Sequence, residues 1–80
     1  MKQVTVQYFA VFRERVGCAE ERIETRVQTT GELFGECQSR HAGLESFAAS
    51  KVAINDQLVD WASPISDGDR VLFFPPVAGG

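Results

Sequence analysis

The run Thr29-Thr30-Gly31-Glu32 fixes where the one long helix of this chain begins. Thr29 followed three residues later by Glu32 is a capping box: the threonine hydroxyl accepts the N–H at the third helical position, and the glutamate carboxylate accepts the N–H of the threonine. Behind it, Leu33, Phe34, Cys37 and His41 fall on one stripe of a helix. Gly43 is placed to end that helix. A single amphipathic helix of this length has to bury its stripe against another layer, and the rest of the chain supplies strands.

The strand signals are alternations. Val4, Val6 and Tyr8 interleave with Gln3, Thr5 and Gln7, the period of two that a half-buried strand requires. The next segment, "AVFRERVG", switches to helical spacing through Val11, Phe12, Arg15 and Val16, and stops at Gly17, a residue suited to a left-handed cap. The paired Glu20 and Glu21 read as a solvated turn, and Ile23, Thr25 and Val27 within "RIETRV" as a second strand with one wet face. A third strand, "KVAIN", passes through a tight turn at Asn55 and Asp56 into a short return, "QLVD". Asp67, Gly68 and Asp69 turn the chain into the last strand, "RVLFF". The expected architecture is a two-layer α+β domain with a mixed sheet. Parallel pairing of the first and last strands is one of several topologies the pattern allows.

Composition excludes several functions. At 80 residues the chain buries only about 60 to 65% of its unfolded surface, too little for a deep enclosed active site. Its net charge is −3 and its cations, Arg13, Arg15, Arg22 and Arg26 among them, are scattered, so phosphate neutralisation on nucleic acid is disfavoured. No apolar run approaches the ~20 residues of a membrane span, and "MKQVTVQYF" does not read as a secretory signal, so a cytoplasmic protein is expected. Cys18 and Cys37 are too few for a disulfide framework and form no C-x-x-C pair; a loop thiol and a core residue are the expected roles. His41 has only Cys37 at ligand spacing, and two ligands do not make a zinc site, so it reads as a helix residue near the core edge. No nucleophile signature and no phosphate-binding glycine loop is present, and the chain carries no catalytic machinery of its own. Trp61 in "DWASP" reads either as a contact residue or as a lid on the core.

The end of the chain is unlike the rest. After the apolar Leu72, Phe73 and Phe74 come Pro75 and Pro76, which carry no N–H and cannot extend a sheet ladder. The strand must stop, and the prolines' fixed φ sends the chain away in an extended form. Val77, Ala78, Gly79 and Gly80 then reach roughly 13 Å at ~3.3 Å per residue, enough to enter a narrow channel in a partner. Glycine has no side chain, so such a tip passes through a slot that alanine would block. Apolar burial of Leu72, Phe73, Phe74 and Val77 against the partner would offset the entropy of ordering it.

"DGDRVLFFPPVAGG", with "YFAVFRERVG" and "VAINDQLV", resembles the small subunit of molybdopterin synthase, a ubiquitin-like sulfur carrier. The resemblance implies a β-grasp domain over 1–76 and a di-glycine tail over 77–80. It implies that a ubiquitin-activating-like adenylyltransferase uses ATP to adenylate the Gly80 carboxyl, that a sulfur donor protein converts it to a thiocarboxylate, and that no cofactor binds the carrier itself. The tail would enter the large subunit of a heterotetramer and deliver sulfur to cyclic pyranopterin monophosphate. On this reading Val71 and Phe73 are core, while Leu72, Phe74, Pro75, Pro76, Phe9 and Arg13 face the partner. A carrier for thiamine thiazole synthesis, or a ubiquitin-like protein modifier, shares the di-glycine and is the alternative.

Overall fold

The computed structural model describes residues 1–41, 44 and 50–75. The chain runs β1 (Lys2–Tyr8), α1 (Val11–Val16), β2 (Glu20–Thr25), α2 (Thr30–Arg40), β3 (Lys51–Ile54), β4 (Gln57–Val59) and β5 (Arg70–Phe74). The strands form one sheet in the order β2-β1-β5-β3-β4. β1 and β5 pair in parallel at its centre, and the other neighbours are antiparallel.

Alternation assigns the two faces as expected in β1, where Val4, Val6 and Tyr8 are buried. Val71 and Phe73 of β5 are buried beside them, opposite Val6 and Tyr8. Ile23, Val52, the α1 residue Phe12, the α2 residues Leu33, Phe34 and Cys37, and Leu44 and Ile65 pack with them in the core. Phe34 is its hub: its ring lies 4.6 Å from Phe73 and 5.2 Å from Trp61, which stacks at 6.0 Å on Phe73. Trp61 is therefore a lid on the core.

The capping box at Thr29 forms in full: the Glu32 N–H donates to the Thr29 hydroxyl at 3.2 Å and the Thr29 N–H to the Glu32 carboxylate at 3.1 Å. A hydrogen bond donated by the Gln28 backbone, then those from Thr29, hold the Glu32 carboxyl below the usual carboxylate range. Gly17 caps α1 in the left-handed conformation at φ 93°. Asn55 and Asp56 turn β3 into β4 with φ of 49° and 72°, the two positive values of the turn whose twist matches a hairpin.

Three expectations are corrected. Glu20 and Glu21 are not a turn: they open β2, which spans Glu20–Thr25 and ends before Arg26 and Val27. Backbone pairing sets Glu20 opposite Gln7 and Glu21 opposite Val6, and the Tyr8 hydroxyl donates to the Glu21 carboxylate at 2.8 Å. α2 stops at Arg40, with His41 as its extended C-cap, so His41 is not within the helix, and Gly43 lies outside the described residues. β3 ends at Ile54, Asn55 being the first residue of the turn.

Candidate functional site

The parallel β1–β5 pair sends the last strand out at one end of the sheet. Phe73 anchors that end, fully buried among Phe34, Trp61 and Tyr8. Phe74 and Leu72 take the opposite parity and are half-buried on the outer face of the sheet, away from the core. Pro75 follows half-buried, and the absence of its N–H ends the ladder that pairs Phe74 with Lys51. Pro76, Val77, Ala78, Gly79 and Gly80 lie outside the described residues.

Cross-strand register extends the outer face beyond β5. Leu72 stands opposite Ala53, and Ala53 opposite Leu58, which makes one apolar row across β5, β3 and β4. Leu58 is 69% exposed, although a leucine gains about 1.5 to 3 kcal/mol when fully buried. The other half of the same face is polar, with Gln3, Thr5 and Gln7 of β1 opposite Glu24, Arg22 and Glu20 of β2. The described residues thus carry an apolar half-face that begins at the chain's exit.

Sequence reasoning missed Leu58. The signal was present: alternation within the hairpin puts it between Gln57 and Val59 on the side of Leu72, but a three-residue return strand is too short to advertise a face.

Phe9 lies one residue beyond β1 and is 56% exposed; its N–H donates to the Phe73 carbonyl at 3.1 Å, so it sits beside the end of β5. Arg13, on α1, is exposed. The structure brings Phe9 next to the β5 end that carries Phe74 and Pro75, with Arg13 one helical turn beyond it. Lys51, exposed opposite Phe74, adds a cation at the same end.

On the core side of that end lies a polar cluster. Glu21 accepts from the Tyr8 hydroxyl, and His41 Nε2 lies 2.6 Å from the same carboxylate oxygen. The His41 ring stands edge-on to Tyr8 at 5.9 Å. Burial first, and then the neighbouring Cys37 and Glu21, push the Tyr8 hydroxyl above its ordinary range. Burial likewise pushes the Cys37 thiol up to about 11, which keeps it protonated and unreactive at neutral pH. Cys18 is a half-buried loop thiol. No three His, Cys, Asp or Glu side chains come together as a metal site among the described residues. Nor do those residues enclose a pocket or form a helix long and apolar enough to cross a membrane.

A five-stranded mixed sheet with parallel central strands and one long helix across its inner face is the ubiquitin-like β-grasp fold. The solved "putative molybdopterin converting factor, subunit 1" from Pyrococcus furiosus superposes with a TM-score of 0.82 at 32% identity, over 96% of this chain and 100% of that one. The chain belongs to the ThiS family, whose model matches residues 6–80. The "molybdopterin synthase sulfur carrier subunit" of Escherichia coli (strain K12) is 34% identical over 80 residues, spanning 96% of this chain and 99% of the relative. A complex of subunits 1 and 2 of the molybdopterin-converting factor from Helicobacter pylori 26695 contains a chain with a TM-score of 0.67 at 28% identity, covering 98% of this chain and 99% of that one. The resemblance read from the tail motif is thus matched by relatives of that name along nearly the whole chain.

Proposed function

We propose that this protein is the sulfur carrier of a molybdopterin synthase, with the Gly80 carboxyl as its reactive group. The observation that carries the reading is the near end-to-end similarity to a sulfur carrier subunit, joined to a last strand that stops at Pro75 beside an apolar half-face. A carrier of this kind needs a docking surface and an exit for the chain, and no pocket of its own.

The chemistry follows from the carboxylate. Ionised, it is a poor electrophile; a separate adenylyltransferase joins it to the AMP portion of ATP and releases pyrophosphate. A sulfur donor protein then supplies sulfur at the sulfide level, which attacks the mixed anhydride, displaces AMP and leaves a C-terminal thiocarboxylate. Its sulfur is a stronger nucleophile than oxygen. In the large subunit that sulfur bonds to a carbon of cyclic pyranopterin monophosphate and displaces an oxygen substituent there; water then cleaves the acyl–sulfur bond, which leaves the sulfur on the pterin and returns the carboxylate. Two such cycles supply one dithiolene. Phe74, Pro75 and Pro76 direct the tail; Leu72, Leu58, Phe9 and Arg13 dock the large subunit; Val77, Ala78 and Gly79 pass through its channel. Acid–base groups for the pterin belong to that subunit.

Intact-mass analysis after incubation with the adenylyltransferase, ATP and a sulfur source tests this. The expected product is heavier by the replacement of one C-terminal oxygen by sulfur. A chain whose mass never changes, under conditions where an authentic carrier is converted, contradicts the reading.

A further inference from the structure

The corner between β1 and α1 holds a residue in a conformation its side chain disfavours. Ala10 has φ 54° and ψ −125°. These are the angles of the first central residue of a type II′ turn, a position dominated by glycine. The hydrogen bond that closes such a turn is present: the Phe12 N–H donates to the Phe9 carbonyl at 3.1 Å. Surrounding contacts hold the corner in place, because Phe12 is fully buried and the Arg13 N–H donates to the Ala10 carbonyl at 3.0 Å. An alanine in this region is strained in a way that glycine is not.

Within the free protein the methyl group of Ala10 is not buried. Ala10 is exposed, and as the residue before α1 it makes no side-chain capping hydrogen bond. The turn lies beside the end of β5, tied there by the Phe9 N–H on the Phe73 carbonyl. Phe9, exposed, precedes Ala10, and Arg13, also exposed, follows it by three residues. The strain therefore falls inside the surface that the sulfur-carrier reading assigns to docking.

We infer that Ala10 is a docking residue of this carrier: its methyl is buried by the molybdopterin synthase large subunit, and its restricted backbone keeps Phe9 and Arg13 set for that contact, at a cost in stability to the free protein. The inference rests on the proposed function. It predicts effects of opposite sign for one substitution, which a merely structural residue would not produce. Ala10→Gly removes the strain and the methyl together. The variant melts a few degrees higher than the wild type, because the relief of strain exceeds the entropy that glycine adds to the unfolded chain. Its Kd for the large subunit is about four to ten times weaker, from one buried methyl and a looser corner. Ala10→Ser, which keeps a Cβ, stays within about twofold of the wild-type Kd and gains no stability.

The test is a set of calorimetric titrations of wild type, Ala10→Gly and Ala10→Ser into the large subunit from the same organism, with thermal melts of each carrier. A more stable, weaker-binding Ala10→Gly with Ala10→Ser near wild type supports the inference. Equal Kd values for wild type and Ala10→Gly overturn it and leave the sulfur-carrier reading standing, as does an Ala10→Gly that melts lower. A wild type that does not bind the large subunit overturns that reading, and this inference with it.

Discussion

Truncating Leu58 separates docking from folding more cleanly than any other change on the outer face. Leu58 lies across from Ala53, is 69% exposed and belongs to no part of the core, so Leu58→Ala costs the folded state only about 0.7 kcal/mol, from the part of the side chain already covered. If the large subunit covers it, the loss on binding is the apolar group that goes from water into the interface. Leucine exceeds alanine by three carbons, worth about 0.8 kcal/mol each when fully buried; scaled by the 69% still exposed, this is roughly 1.5 to 2 kcal/mol. That corresponds to a Kd weaker by about ten- to thirtyfold. Titration calorimetry against the large subunit, with a thermal melt of the free variant, reads both quantities. A Kd within twofold of wild type, with the variant folded at the titration temperature, would refute the placing of the interface on the β5-β3-β4 half of the sheet.

Three substitutions and one labelling experiment probe the frame that holds this surface. Glu21→Ala should cost about 1 to 3 kcal/mol by leaving the Tyr8 hydroxyl and His41 without their shared acceptor, while Glu20→Ala should stay within about 0.5 kcal/mol; urea unfolding of both variants compares them. Asp56→Gly relaxes φ 72° and gives up only an exposed 3.2 Å ion pair with Arg70, so the hairpin variant should gain about 0.5 kcal/mol in the same assay. Thiol labelling near pH 7.5 should modify Cys18 before Cys37. A thiol whose pKa is raised in the fold favours folding below its ordinary value of 9.0, and that contribution is lost as pH rises toward about 11; labelling of Cys37 should accelerate over that interval and on denaturation.

Local chemistry was legible in the sequence wherever it decided the structure alone. The Thr29–Glu32 capping box, the Gly17 cap and the alternation of Val4, Val6 and Tyr8 each depend on neighbours within a few residues, and all appear in the fold. Glu20 and Glu21 read as a turn because two adjacent glutamates mimic one; pairing with Gln7 and Val6 of the antiparallel partner strand makes strand positions of them, and Tyr8 and His41 give the Glu21 carboxylate its partners. His41 leaves the helix for a similar reason, since an extended C-cap at φ −128° has no marker in an apolar stripe. Trp61 could be read two ways until Phe34 and Phe73 were seen to meet it. In the candidate site, Leu72 and Phe74 follow from alternation, whereas Leu58 required the register of two strand pairs and Ala10 required a backbone angle. Contacts between distant segments set those features, and a single sequence does not display them.

The central claim concerns the Gly80 carboxyl, and one measurement addresses it most directly. Wild type and Gly80→Ala are incubated with the adenylyltransferase, ATP and a sulfur donor, and their intact masses are followed in time. Wild type should acquire one sulfur in place of one oxygen, on its C-terminal peptide alone, and should return to its original mass once the large subunit and the pterin precursor are added. Gly80→Ala should remain unconverted while melting at the same temperature. Sulfur incorporated elsewhere in the chain, or efficient conversion and transfer by Gly80→Ala, would contradict the account.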